Sequence, residues 1–114
     1  MTVTTLTIPI RESLFESLRG LGDPERVTLA ALRRYAVDNC LHHIEQAEQK
    51  IAAYEQRYGL DYATFNQRIC TDQAFLDAVN REHPMWEADA IEWVHRIEEA
   101  QVWRERLQKI LRES

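Results

Sequence analysis

The sequence predicts a mostly helical chain that opens with one β-strand. Glycine and proline number only three each, whereas 29% of the residues are charged, and this composition favours helices. Between Leu6 and Leu18 the spacing of apolar residues changes from every second residue, typical of a strand, to helical spacing. A lone strand leaves its backbone N–H and C=O groups unpaired, and its simplest partner is the same strand in a second copy. We therefore predict a homodimer joined by an intermolecular two-stranded β-ribbon, followed by a short helix, a long helix, two short helices and a long C-terminal helix.

The predicted strand and the two helices after it occupy about the first forty residues. The first helix covers residues 11–21 and ends at Gly22, where Asp23 and Pro24 give a turn signal. Thr28 is a suitable N-cap for the second helix. The strand and the two helices supply the predicted dimer core, which consists of Leu6, Ile8, Ile10, Leu14, Leu18, Leu32 and Val37.

The second helix has no breaker before Tyr58, although its continuity through Asn39 and Cys40 is open. Apolar residues follow it at alternating steps of three and four, as in a heptad repeat that packs on another helix. This seam consists of Val37, Cys40, Ile44, Ala47, Ile51, Tyr54 and Tyr58.

Capping signals divide the second half of the chain. Gly59 is typical of a helix C-terminus, and Asp61 is a good N-cap for a short helix over residues 62–69. Thr71 is predicted to cap the next helix, over residues 72–81. Pro84 suits the first turn of the last helix, which extends to about Leu111 and is expected to return along the second helix.

The last helix carries two apolar stripes. The inward stripe is centred on Trp93, whereas a second stripe holds Ile91, Val94, Val102, Trp103 and Ile110. Because one stripe suffices for packing within the chain, Val102, Trp103 and Ile110 are predicted to bind a partner.

The alternating LTIPI, then RESLFESLRGL and VTLAALRRYAV, resemble the ribbon-helix-helix superfamily of MetJ/Arc-type DNA-binding dimers. The resemblance covers about the first third of the chain. It implies a ribbon in the DNA major groove, with Thr5 and Thr7 touching base edges. It also implies that Arg26, Thr28 and Leu29, at the start of the second helix, hold DNA phosphates.

Charge is distributed unevenly between the two halves of the chain. Residues 1–40 hold five basic and five acidic side chains, whereas residues 41–114 hold nine basic and fourteen acidic ones. We predict a DNA-binding and dimerisation domain at residues 1–40 and a partner-binding helical extension at residues 41–114. The phrase YEQRYGLDYATF also resembles the C-terminal half of small prokaryotic antitoxin-like proteins.

These resemblances imply an antitoxin-like transcriptional regulator of a type II toxin-antitoxin system. Its partners would be operator DNA, a second copy of the chain and a cognate toxin held by the C-terminal helices. The alternative is a homo-oligomeric helical adaptor that does not bind DNA and uses the ribbon only to dimerise. Pro9, which has no N–H and no polar reach, and the lack of a basic patch favour the alternative.

The sequence indicates neither an enzyme nor a cofactor nor a metal site. Three glycines leave little room for a phosphate-binding loop, and no serine-based nucleophile motif is present. Glu92 and His95 have the E-x-x-H spacing of di-iron bundles, but only in one copy. Cys40 falls on the buried seam, so a core thiol is favoured over a nucleophile paired with His43.

The N-terminal sequence has neither the charge pattern nor the apolar run of a signal peptide. No apolar segment is long enough to span a membrane. Cys40 and Cys70 are thirty residues apart and form no CxxC motif, which is typical of reduced thiols. We therefore expect a cytoplasmic protein.

Overall fold

The computed structural model describes residues 2–113, and within this range the protein has five α-helices and no β-strand. The helices are α1 (Glu12–Arg19), α2 (Pro24–Tyr58), α3 (Tyr62–Thr71), α4 (Gln73–Glu82) and α5 (Trp86–Arg112). The chain divides into two compact units, an N-terminal unit up to residue 36 and a C-terminal unit from residue 37. The domains predicted at residues 1–40 and 41–114 stay a prediction, and their outermost residues, Met1 and Ser114, lie outside the described range.

The predicted N-terminal strand is wrong, and with it the intermolecular β-ribbon. Residues 2–11 have no regular secondary structure, although Leu6, Ile8 and Ile10 alternate as a strand would require. Side-chain alternation gives a strand only where a neighbouring strand accepts its backbone hydrogen bonds, and residues 2–113 contain no second strand. The mostly helical part of the predicted fold is confirmed.

The second helix begins earlier than predicted. It starts at Pro24 rather than after Thr28, and the side chain of Asp23 accepts a hydrogen bond from the backbone N–H of Arg26 at 3.3 Å. Proline suits the first helical position because its missing N–H needs no partner there. In the turn before α2, Gly22 has a φ of 139°, a backbone conformation that residues other than glycine rarely adopt.

Helix α2 is continuous through Asn39 and Cys40 and extends to Tyr58, which settles a point that the sequence left open. Cys40, Ile44 and Ala47, in the middle of the predicted seam, are buried. The heptad spacing thus identified the inward face of this helix in the C-terminal unit.

The helix ends of the C-terminal unit are set by local capping. Gly59 has φ 72° at the end of α2, and Asp61 accepts a hydrogen bond from the backbone N–H of Thr64 at 2.8 Å. Both predictions are confirmed. The cap of α4 is Asp72 and not Thr71, which is the last residue of α3 and donates its hydroxyl to a backbone carbonyl one turn back. A carboxylate accepts backbone N–H groups at least as well as a hydroxyl does.

The core of the C-terminal unit is aromatic. Phe65, Val79 and Trp93 are buried, and the Trp93 indole is fully enclosed. Its ring centroid lies 5.3 Å from that of Tyr62 and 5.5 Å from that of Phe65. The side chains that pack around this cluster, most of them aromatic, are Ile51, Tyr54, Tyr58, Leu60, Tyr62, Ile69, Phe75, Trp86 and Ala90.

Helix α5 returns along α2, as predicted. The imidazole of His43 stacks on the indole of Trp103, and the hydroxyl of Tyr58 donates to Asp89 at 2.6 Å. The later residue of α2 thus contacts the earlier residue of α5, so the two helices are antiparallel. Over residues 2–113, none of the helices combines the length and the apolar character needed to cross a bilayer.

Candidate interaction surfaces

The N-terminal unit presents large apolar side chains to solvent. Among residues 2–39 no side chain is buried, and ten large apolar or aromatic ones are 39–82% exposed. They form what we call the N-terminal apolar surface: Val3, Leu6, Ile8, Ile10, Leu14, Phe15, Leu21, Leu29, Leu32 and Tyr35. Scattered apolar side chains are normal on a protein surface, but this many within one short segment are typical of an interaction site.

Five of the seven residues predicted for the dimer core belong to this surface. Leu18 and Val37 are half-buried, whereas the other five are exposed: Leu6, Ile8, Ile10, Leu14 and Leu32. Helix α1 buries none of its residues, although Leu14, Phe15 and Leu18 follow one another at helical spacing. In the single chain these residues therefore do not form a core.

The residues predicted to bind DNA do not form a single site in the structure. Thr5 and Thr7 are exposed in the irregular segment before α1, and Arg26 is exposed in the first turn of α2. Thr28 and Leu29 lie in the second turn, because the helix begins at Pro24. Backbone N–H groups in that turn bond to carbonyls four residues earlier, so they are not free to hold a phosphate.

The carboxylate of Asp23 occupies the N-terminal end of α2. It accepts the N–H of Arg26 at 3.3 Å, and the carbonyl oxygen of Asp23 accepts the N–H of Val27 at 3.0 Å. A negative side chain at this end satisfies the helix dipole but repels an incoming phosphate. The pair Asp23-Pro24, which the sequence suggested as a helix stop, is thus the cap and the first residue of α2, and phosphate binding by Arg26, Thr28 and Leu29 stays a prediction.

The three residues predicted for partner binding differ in their surroundings. Val102 is 46% exposed, whereas Trp103 and Ile110 are half-buried. The indole of Trp103 is parallel to the imidazole of His43 with 4.0 Å between centroids, and the guanidinium carbon of Arg106 lies 4.5 Å from the indole centroid. Trp103 therefore helps to hold α5 against α2, and of the three Val102 is the most exposed to solvent.

The second stripe of α5 is thus not one face. Ile91, which is 74% exposed, and Val102 lie on the side opposite the buried Trp93, together with His95 and Glu98. These four residues are spaced by four, three and four, which places them in a line along the helix. We call this line the outer face of α5. The sequence placed Ile91 and Val102 in one stripe, but it did not separate them from the packed Trp103.

Polar contacts tie α5 to α2 beside the aromatic core. The hydroxyl of Tyr54 donates to Glu92 at 2.7 Å, and Asp89 accepts the hydroxyl of Tyr58 and a guanidinium N–H of Arg57 at 2.8 Å. Burial, with the hydrogen bond to Glu92, raises the pKa of Tyr54 to about 12. Burial, with the hydrogen bond to Asp89, raises the pKa of Tyr58 well above its ordinary value. The hydrogen bond from Tyr54 also lowers the pKa of Glu92.

Of the two candidate metal ligands of the E-x-x-H motif, one takes part in these contacts and the other does not. Glu92, the first residue of the E-x-x-H motif, accepts from Tyr54 and pairs with Arg96, while His95 points to solvent. Within the described residues, no three His, Cys, Asp or Glu side chains stand close enough to hold a metal ion. Cys40 is buried, and Cys70 is exposed. Tyr54, Glu92 and Arg96 thus take part in packing and pairing within the C-terminal unit.

A shallow cleft of 220 Å³ beside the α2–α5 pair is polar. It is lined by Gln46, Ala47, Gln49, Lys50, Arg96 and Glu99. Its guanidinium already faces two carboxylates, since Arg96 lies 2.7 Å from Glu99 and 3.4 Å from Glu92. The charge of Arg96 is therefore compensated within the chain.

No protein-family model, no curated protein and no solved structure that was compared with the chain matches it.

Proposed function

We propose that this chain is an antitoxin-like regulator that self-associates through its N-terminal unit and binds a partner protein through its C-terminal helical unit. The observation that carries the proposal is the N-terminal apolar surface. Ten large side chains are exposed there, and no residue up to position 39 of the described chain is buried. The C-terminal unit, by contrast, has an enclosed aromatic core around Trp93.

Helix α1 supports self-association on grounds of stability. It has eight residues, none of them buried, whereas isolated helices shorter than about 12–15 residues are marginal in water. Leu14 is 52% and Phe15 39% exposed, so covering what remains exposed of either side chain would stabilise the folded state by about 0.6–1.5 kcal/mol, roughly half the value for full burial. A second copy offers the same apolar surface, so a symmetric pair could cover Leu14 and Leu32 in both chains.

As a regulator, the protein would bind operator DNA through its N-terminal unit, and Thr5 and Thr7 would contact the base edges. Both side chains are exposed, and threonine can contact base edges and thymine methyl groups. The proposal places the protein in the cytoplasm, where Cys40 and Cys70, which form no disulfide, would stay reduced.

A second candidate is a homo-oligomeric helical adaptor that binds protein and not DNA. The carboxylate of Asp23 at the start of α2 favours it, because this position would otherwise attract a phosphate. The equal numbers of basic and acidic residues among residues 1–40 favour it as well, since DNA-binding proteins normally carry a basic face.

Self-association is tested by sedimentation equilibrium of the full chain and of the Leu14→Glu/Leu32→Glu variant. We expect a dimer for the wild type and a monomer for the variant, whose circular dichroism spectrum should lose no more helix than the eight residues of α1. Both side chains are at least half exposed in the single chain, so the substitutions need not disturb its fold. Leu41→Glu, at a 49% exposed leucine of the C-terminal unit, is the matched control and should leave the dimer intact. A wild-type monomer at high micromolar concentration would overturn the proposal.

DNA binding is tested by fluorescence anisotropy with the duplex upstream of the gene, beside a scrambled duplex, at low and physiological salt. A regulator should prefer the upstream duplex, lose affinity steeply with salt and bind more weakly after Thr5→Ala/Thr7→Ala. If the dimer binds neither duplex at either salt, alone or with the product of the neighbouring gene, the adaptor is the correct assignment.

A further inference from the structure

We infer that the outer face of α5, formed by Ile91, His95, Glu98 and Val102, is the docking surface for a basic partner protein. The inference rests on the proposed function, because it names the surface through which the C-terminal unit holds its partner. It replaces the predicted set of Val102, Trp103 and Ile110, of which Val102 is the most exposed, at 46%.

The apolar part of this face lies outside the core of the C-terminal unit. Ile91 is 74% exposed and Val102 is 46% exposed, while Trp93 and Ala100 on the opposite side of the helix are fully enclosed. Substituting polar residues for Ile91 and Val102 would therefore cost the unit little stability. Aliphatic side chains spaced along one exposed line of a helix are the anchors by which a helix occupies a groove in another protein.

The charged part of this face indicates the chemistry of the partner. Glu98 lies on the line itself, and Glu87 and Glu105 are exposed beside it, whereas Arg106 and Lys109 are exposed on the same side one and two turns beyond Val102. The ion pairs found among residues 2–113 involve none of these three carboxylates, although Glu105 accepts a hydrogen bond from Gln101 at 3.3 Å. Acidic side chains flanking apolar anchors complement lysine and arginine around an apolar groove.

The charge of the whole unit favours the same partner. Residues 41–114 hold nine basic and fourteen acidic side chains. Several basic side chains are already paired within the unit, because Arg57, Arg68, Arg96 and Arg104 each lie within 4 Å of a carboxylate. The excess is negative, so a basic protein would be attracted and nucleic acid would be repelled.

The test uses the purified full-length chain and the purified product of the neighbouring gene, with binding measured by isothermal titration calorimetry. We expect Ile91→Ser/Val102→Ser to weaken binding about tenfold or more, since a few buried apolar anchors carry most interface affinity. The matched control is Leu41→Ser/Met85→Ser, which alters one 49% and one 69% exposed side chain elsewhere in the unit and should change affinity less than about twofold.

Charge is tested separately. Glu98→Lys should weaken binding and reduce its salt dependence, whereas Glu55→Lys, at an exposed position of α2, should do so much less. If the wild type binds the neighbouring product and the Ile91→Ser/Val102→Ser variant binds it equally well, the docking surface is wrong while the proposed function stands. If the wild type does not bind it at all, both fail. A fall in oligomeric state of the same variant would make the face a self-association surface and overturn the inference.

Discussion

The fully enclosed indole of Trp93 gives the sharpest prediction about stability. Replacing it with alanine removes ring contacts to Tyr54, Tyr58, Tyr62 and Phe65, whose centroids lie 5.3–5.8 Å away. Deleting a buried tryptophan costs about 3–5 kcal/mol. A domain of this size is stable by about 5–15 kcal/mol, so Trp93→Ala should remove roughly a fifth of that stability or more.

A second substitution of Trp93 separates the stabilising effect of its ring contacts from the cost of its buried N–H. The indole N–H of Trp93 is buried and has no hydrogen-bond partner within the described residues. An unpaired buried donor costs about 1–3 kcal/mol, and phenylalanine removes it while keeping most of the ring contacts. Trp93→Phe should therefore cost only about 0–2 kcal/mol, because the relief of the unpaired donor offsets part of the lost volume.

The assay is urea denaturation followed by far-ultraviolet circular dichroism, which does not depend on tryptophan fluorescence. Trp103→Ala is the matched control, because Trp103 is half-buried and stacks mainly on His43. We expect it to cost about 1–2 kcal/mol, well below Trp93→Ala. Equal losses for Trp93→Ala and Trp103→Ala, or a Trp93→Phe variant as unstable as Trp93→Ala, would refute the reasoning.

Three further predictions concern single polar contacts. The pKa of Tyr54 is raised from 10.0 to about 12, so the protonated hydroxyl contributes its full share to the free energy of unfolding below pH 10 and loses it as the pH rises toward 12. The urea midpoint should therefore fall between pH 10 and pH 12, and it should fall less in the Tyr54→Phe variant. The backbone N–H of Phe75 lowers the pKa of Asp72, so Asp72→Ala should lower the melting temperature at pH 7. This effect should shrink as the pH falls from 3.8, the ordinary value, through the lower pKa of the folded state, where the carboxyl protonates. Glu48→Gln, which breaks an exposed pair with Arg104, should cost only about 0–1 kcal/mol in a urea titration, and a larger loss would contradict the solvent-screened contact.

Local sequence signals were sufficient wherever the decisive contacts lie within a few residues. Gly59 and Asp61 were predicted correctly because a left-handed helix end and an N-cap depend on near neighbours. The pair Asp23-Pro24 carried the correct signal for the start of α2, but the same residues also suit the end of α1. The inward face of α2, including Cys40 and Ile44, followed from heptad spacing alone.

The sequence by itself thus determined the helical class, most of the helix limits and the inward faces of the long helices, since these depend on spacing along the chain. Only the tertiary structure decided the rest. Residues 2–11 do not form a strand, because no pairing strand exists in the described chain. Trp103 packs because His43 lies opposite it across sixty residues of sequence, while Ile91, on the same predicted stripe, has no such neighbour and remains 74% exposed. Helical periodicity shows which residues share a side of a helix, but burial depends on what the fold brings against that side.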